Sequence, residues 1–156
     1  MIVVSDASVL INLDRIGQVS LLAEIYGEVL VPNAVWNEVA RGLPELSTNL
    51  PEWIKVDAAA DQELIRKLAA DLDAGESESI VLALERRADL LLIDEQLGRR
   101  IAMRFGIRVS GLLGVLVVAK NRQLIPAVAP CIRELLAAGF WLSDEVIARV
   151  LKQTGE

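Results

Sequence analysis

Aliphatic runs without alternation constrain this chain more than any other feature. Ile2-Val3-Val4, Val29-Leu30-Val31 and Leu90-Leu91-Leu92-Ile93 are three such runs, and Ile107-Arg108-Val109 is a fourth with one arginine inside it. A strand with one wet face alternates apolar and polar residues, whereas a continuous run marks a strand covered on both faces, as in a parallel sheet. Each run is stopped by a turn or cap residue: Ser5-Asp6, Pro32, Asp94 and Ser110-Gly111. Trp53-Ile54-Lys55-Val56 adds a fifth, edge strand. Helical patterns fill the gaps, as parallel strands require. Ser8 caps a helix that reaches Arg15 and stops near Gly17, and residues 18–25 form the next. Asn33 caps 34–41, with Gly42 at its end. Residues 60–70, 75–87, 95–105 and 127–138 follow the same pattern. So do 111–121, capped by Ser110, and 144–152, capped by Ser143. Residues 44–51 read as a surface loop. The expected fold is α/β, a three-layer α/β/α sandwich with a central, mostly parallel four- to five-stranded sheet and right-handed crossovers. No repeat, low-complexity tract or linker divides the chain, so residues 1–156 read as a single domain.

Composition narrows the chemistry. A chain of 156 residues should bury roughly 70% of its unfolded surface. Apolar residues make up 53% and aromatics only 4%, so the excess is aliphatic. Such a surplus points to apolar surface covered by a second copy or a partner, and a homodimer is expected. The single cysteine, Cys131, cannot form an internal disulfide and reads as a small buried hydrophobe. The start Met1-Ile2-Val3-Val4 has no basic flank, and the apolar stretch 112–119 is too short to span a bilayer. A cytoplasmic protein with no membrane segment is the expectation. Histidine is absent. That removes serine–histidine and cysteine–histidine nucleophiles and histidine-ligated zinc, and leaves carboxylates, hydroxyls, amides and basic side chains.

Charge is unevenly spread. Residues 1–85 hold 15 acids and 5 bases, a balance of −10. Residues 86–122 hold 8 bases and 3 acids, a balance of +5. An acidic pole beside a basic segment suits a metal site next to a phosphate-contacting surface. Arginines on solvated helix faces would give the same count.

Asp6 and Asp94 occupy equivalent places, each after an aliphatic strand and before a helix. In an open parallel sheet ligands collect at the carboxyl ends of the strands, so the two meet if their strands are neighbours. Either could equally be a helix cap. Glu38 lies about one turn inside the helix that follows the second strand. Asp73 and Glu76 have the spacing of a capping box. That does not account for Glu78, which lies about 200° around the helix from Glu76, beside Ile80, Val81 and Leu84. A carboxylate next to an apolar stripe is costly unless it is paired or binds metal.

The opening Val4-Ser5-Asp6-Ala7-Ser8-Val9-Leu10-Ile11 resembles the start of a PIN domain, the ribonuclease fold of VapC-type toxins, and Leu92-Ile93-Asp94-Glu95 resembles that family's last acidic motif. Gly75-Glu76-Ser77-Glu78-Ser79-Ile80 and the Asp94-Glu95-x-x-Gly98-Arg99-Arg100 ending resemble an uncharacterised prokaryotic PIN-like subgroup. The likeness runs through Leu112-Leu113-Gly114-Val115-Leu116 to Gly139-Phe140-Trp141-Leu142-Ser143-Asp144. It implies a metal-dependent ribonuclease, the toxin of a toxin–antitoxin pair, neutralised by a small antitoxin protein. Position by position, it implies metal-binding and catalytic carboxylates at Asp6, Glu38, Glu78 and Asp94. Ser8 becomes a small polar helper near the first aspartate. Many relatives have an aspartate in the third motif, where this chain offers Glu76 and Glu78; Glu78 fits the spacing to Ile80 better, and Glu76 could share the site.

Oxygen donors without histidine select Mg²⁺ or Mn²⁺ over zinc. Arg99, Arg100 and Arg104 are the candidates for RNA phosphate contacts. A receiver-type phosphoacceptor would need adjacent acids after the first strand and a lysine after a late one, and Ser5-Asp6-Ala7 and Val109-Ser110-Gly111 supply neither. The remaining rival is a non-catalytic PIN-like interaction module, which the aliphatic surplus and a pI of about 4.8 would also suit.

Overall fold

The computed structural model describes the backbone of residues 1–156 and every side chain except that of Ser47. Five strands are present: β1 (Val3–Ser5), β2 (Val29–Val31), β3 (Ile54–Val56), β4 (Leu90–Leu92) and β5 (Val109–Ser110). They form one sheet in the order β3-β2-β1-β4-β5, with every neighbouring pair parallel. The registers Val4 opposite Leu30 and Val4 opposite Leu91 place β1 at the centre. The chain walks from β1 outward through β2 to β3, then returns to the other side of β1 with β4. The crevice between the carboxyl ends of β1 and β4 is therefore the topological switch point.

Alternation along the strands divides the core into two layers, one on each face of the sheet. Val3, Val29, Val31, Leu90 and Leu92 belong to one layer, and Val4 and Leu91 to the other. The first layer is closed by α1 (Ala7–Arg15), α2 (Leu21–Tyr26), α3 (Asn33–Gly42), α8 (Leu112–Asn121), α9 (Ala129–Ala137) and α10 (Asp144–Gln153). The second is closed by α5 (Gln62–Leu68), α6 (Ala74–Glu85) and α7 (Gln96–Arg104). This is the three-layer α/β/α sandwich read from the aliphatic runs. Leu10, Leu92, Leu112 and Leu116 are fully buried, and trimming any of them to alanine should cost about 2–5 kcal/mol. Cys131 is free and buried. Among the described residues no helix is long and apolar enough to cross a membrane.

Four local expectations differ. Ser8 lies inside α1 and does not cap it; Asp6 holds the cap position and accepts the Val9 N–H. Residues 44–51 hold a short helix, α4 (Pro44–Thr48), not a loop. Pro44 stands at a first-turn position, where a proline costs nothing, and Leu46 packs against the core. Asn33 lies inside α3 and makes no side-chain cap; Pro32 holds the cap position. Ser110 belongs to β5, so it does not cap α8, whose first N–H is taken by a carboxylate from elsewhere. Ser143 does cap α10, its Oγ accepting from Val146 N–H at 3.2 Å.

Candidate active site

Asp6 follows β1 directly and is only 4% exposed. Its Oδ1 accepts the Val9 N–H at 3.0 Å, capping α1. Its Oδ2 accepts the Asp94 N–H at 3.3 Å, and its own N–H continues the ladder to Leu92 O at 2.9 Å. Asp6 is thus both a helix cap and one member of a pair. Neighbouring parallel strands bring the two acids together although 88 residues separate them.

Asp94 does not cap α7, the helix after it; Glu95 does, accepting from Gly98 N–H at 2.8 Å. Asp94 instead turns back to α8, its Oδ1 accepting the Leu112 N–H at 2.8 Å. Gly111 makes this approach possible. A β-carbon there would stand 2.6 Å from Asp94 Oδ1 and 2.8 Å from Arg99 Nη1. Ser8 Oγ donates to Asp94 Oδ2 at 3.4 Å. Asn12 fixes Ser8 in turn, its Nδ2 donating to Ser8 O at 2.9 Å and to Ser8 Oγ at 3.2 Å.

Both aspartates line a cavity of about 550 Å³ at the switch point, together with Glu38, Asp73, Glu76 and Glu95. The third-motif glutamates part company here. Glu76 is 8% exposed and lines the cavity while also completing a capping box: Asp73 Oδ1 accepts from Glu76 N–H at 2.8 Å, and Glu76 Oε1 accepts from Asp73 N–H at 3.2 Å. Glu78, favoured by the motif spacing, does not line it. Its Oε1 accepts the Ala34 N–H at 3.3 Å, supplying the first turn of α3 with the acceptor that Asn33 does not provide. Alongside them, Ser77 and Ser79 are fully buried, and each hydroxyl is satisfied by a carbonyl four residues back. This lets α6 bury a nearly complete circumference.

Burial dominates the electrostatics. Asp6 is pushed from an ordinary 3.8 to about 8, first by loss of water and further by the charges of Asp94 and Glu76, against the Val9 and Asp94 N–H groups. Glu76 is pushed up to about 7 by burial and by Asp73 and Glu95. Burial also holds Asp94 above its usual value, opposed by the Leu112 N–H, Ser8 and Arg99. Without a cation these carboxyls therefore resist ionising, because little in the crevice compensates their charge. By chemistry these donors fit a hard cation: several carboxylate oxygens, partly dry, at one strand-end crevice. Among the described residues, no three acidic, histidine or cysteine side chains stand close enough, as placed, to cage an ion.

The basic segment contributes nothing to the cavity lining, although Arg99 stands behind Asp94. Arg86 pairs with Asp57, Arg122 donates to Ile25 O, Lys120 pairs with Glu156, and Arg99 donates to Ile93 O. None of these, nor Arg100 or Arg104, lines the cavity. The cation that does is Arg15, at the end of α1. Sequence reading passed over Arg15, Asn12 and Phe140, which also lines the cavity. The first two were legible as spacing, since Ser8, Asn12 and Arg15 recur at the helical period on one face.

A family model described as a PIN domain matches residues 2–156 of the chain. No curated protein matches it. PIN domains are in general nucleases, that is, hydrolases acting on nucleic acid, and typically use divalent metals. On that match, and with the parallel five-stranded sandwich that the model's family implies, the chain belongs to the PIN domain family.

Proposed function

We propose that this protein is a Mg²⁺- or Mn²⁺-dependent ribonuclease that hydrolyses RNA phosphodiester bonds as the toxin of a toxin–antitoxin pair. The observation that carries the reading is the Asp6–Asp94 pair, two carboxylates from adjacent strand ends held in one acidic cavity. Asp6 and Asp94 would hold the ion, with Glu38 and Glu76 completing the set and Glu78 bracing α3 behind it. Bound there, a divalent cation supplies Lewis acidity toward a water and the phosphoryl oxygens. The chain's own residues do the positioning. The Val9 and Leu112 N–H groups fix the angle of each aspartate, the Asp94 N–H ties Asp6 Oδ2 to the neighbouring strand end, and Ser8 holds Asp94 Oδ2. The cavity wall excludes bulk water from Asp6, which strengthens its attraction for a cation. A small antitoxin, a homodimer, a cytoplasmic location and a single domain over 1–156 belong to the same reading.

The absence of a ready three-carboxylate cage among the described residues favours the second reading, a non-catalytic interaction module. Metal titration separates them. Mn²⁺ should raise the melting temperature of the wild type and support cleavage of RNA, and Asp94→Asn should lose both. An Asp94→Asn variant that cleaves RNA and inhibits growth like the wild type would sink the nuclease reading.

A further inference from the structure

Phe140 and Arg15 line the acidic cavity from two separate elements, and neither is used by the carboxylate chemistry. Phe140 is placed by the end of α9. Gly139 adopts φ +95, and the Gly139 and Phe140 N–H groups bond to Leu136 O and Leu135 O at 3.1 and 3.0 Å. This is a Schellman stop, with glycine at the one position that needs a left-handed backbone. It turns the chain so that one side of Phe140 packs on the core while the rest of the half-buried ring faces the cavity. Trp141 comes next and is 80% exposed, the most exposed large apolar side chain described. Trp141 does not line the cavity, so in a chain with 4% aromatics Phe140 is, among the described residues, the one ring on the wall of this carboxylate crevice. Arg15 is exposed and, among the described residues, makes no ion pair or hydrogen bond.

We propose that Phe140 and Arg15 form the nucleotide-positioning subsite for single-stranded RNA: the ring stacks an unpaired base and the guanidinium holds a backbone phosphate beside the scissile one. Three physical points select this ligand. Aromatic faces accept any unpaired base, whereas a duplex keeps its bases stacked inside and its deep groove closed to side chains. Asp6 is nearly sealed from solvent, so a phosphate must enter the cavity to reach it, and a splayed single strand bends that far where a duplex does not. One unpaired arginine amid six carboxylates fits one phosphate, not a long basic track.

The inference rests on the ribonuclease reading for its scissile phosphate, but its test does not depend on turnover. Anisotropy of a short fluorescein-labelled RNA is measured with the full chain in Ca²⁺, single-stranded and annealed to its complement, followed by cleavage in Mn²⁺. The single strand should bind more tightly than the duplex. Phe140→Leu, which keeps apolar bulk without a π-face, should weaken single-strand binding roughly 5- to 30-fold, raise KM by a similar factor and leave kcat nearly unchanged; Phe140→Trp should restore it. Arg15→Gln should reduce the salt-dependence slope by about 0.7. Wild-type binding by Phe140→Leu, or equal affinity for duplex and single strand, overturns the proposal, as does no RNA binding at all. If Phe140→Leu weakens binding while no variant or metal gives cleavage, the subsite stands and the nuclease reading falls.

Discussion

Replacing Asp6 by asparagine isolates the electrostatic strain that the cavity stores. In the folded chain Asp6 holds its proton up to about pH 8, against 3.8 when exposed. The folded state therefore binds more protons than the unfolded state between those values, and linkage makes stability fall as pH rises through that window. The carboxyl's contribution is complete below about pH 4 and lost once the folded group ionises near pH 8. Four pH units at about 1.4 kcal/mol each amount to about 6 kcal/mol. At a few degrees per kcal/mol for a domain of this size, that is about 10–20 °C of melting temperature. Asparagine cannot ionise. Its amide oxygen keeps the Val9 cap, but its NH₂ group meets the Asp94 N–H donor, a pH-independent cost of about 1–2 kcal/mol. The metal-free wild type should thus melt above Asp6→Asn near pH 4, cross it on the way up, and melt several degrees below it at pH 8–9. Other titrating groups are common to both proteins, so the difference between the curves carries the signal. Saturating Mn²⁺ at pH 8 should lift the wild type and leave the variant unmoved. Thermal scans in chelator from pH 4 to 9 decide it: two parallel curves would refute the buried, strained carboxylate.

Gly111→Ala should cut RNA cleavage about 10–100-fold with the fold intact by circular dichroism, because the added carbon displaces Asp94; wild-type activity would contradict the close approach. Glu76→Gln should weaken Mn²⁺ binding, whereas Glu78→Ala should leave the metal response alone and cost about 0.5–1 kcal/mol in urea unfolding through the bare start of α3. The reverse pattern would restore Glu78 as ligand. Glu156 accepts the Val128 and Ala129 N–H groups at 2.9 and 3.0 Å and is held down to about 2. Its contribution is present above about pH 4.5 and lost as pH falls toward 2. Glu156→Gln should therefore lower the melting temperature at pH 7 and converge on the wild type near pH 2.

The sheet was legible because doubly covered strands write continuous aliphatic runs, and the helices because their periods and caps are local. The departures share a cause. The Pro44 helix carries too few residues to show a period, and Leu46 is anchored only by a core formed elsewhere. Asp94 capping α8 and Glu78 capping α3 act across 18 and 44 residues, distances at which spacing along a chain says nothing about direction. Between Glu76 and Glu78, motif spacing favoured the latter, yet the capping box holds Glu76 facing the cavity. The arginines of the basic segment were countable, but whether each meets a carbonyl, an acid or solvent is a tertiary matter. Phe140 left no trace beyond its glycine.

The parallel order with β1 at the centre has a consequence in time. Asp6 is synthesised well before its partner strand β4, and Asp94 is fixed only when Leu112 arrives to donate to it. At about 5–20 residues per second, roughly 5–20 s separate the first acid from the last brace. A nascent chain thus carries a disarmed site until all five strands and the start of α8 are in place, and whatever binds the protein during that interval meets a fold without its chemistry.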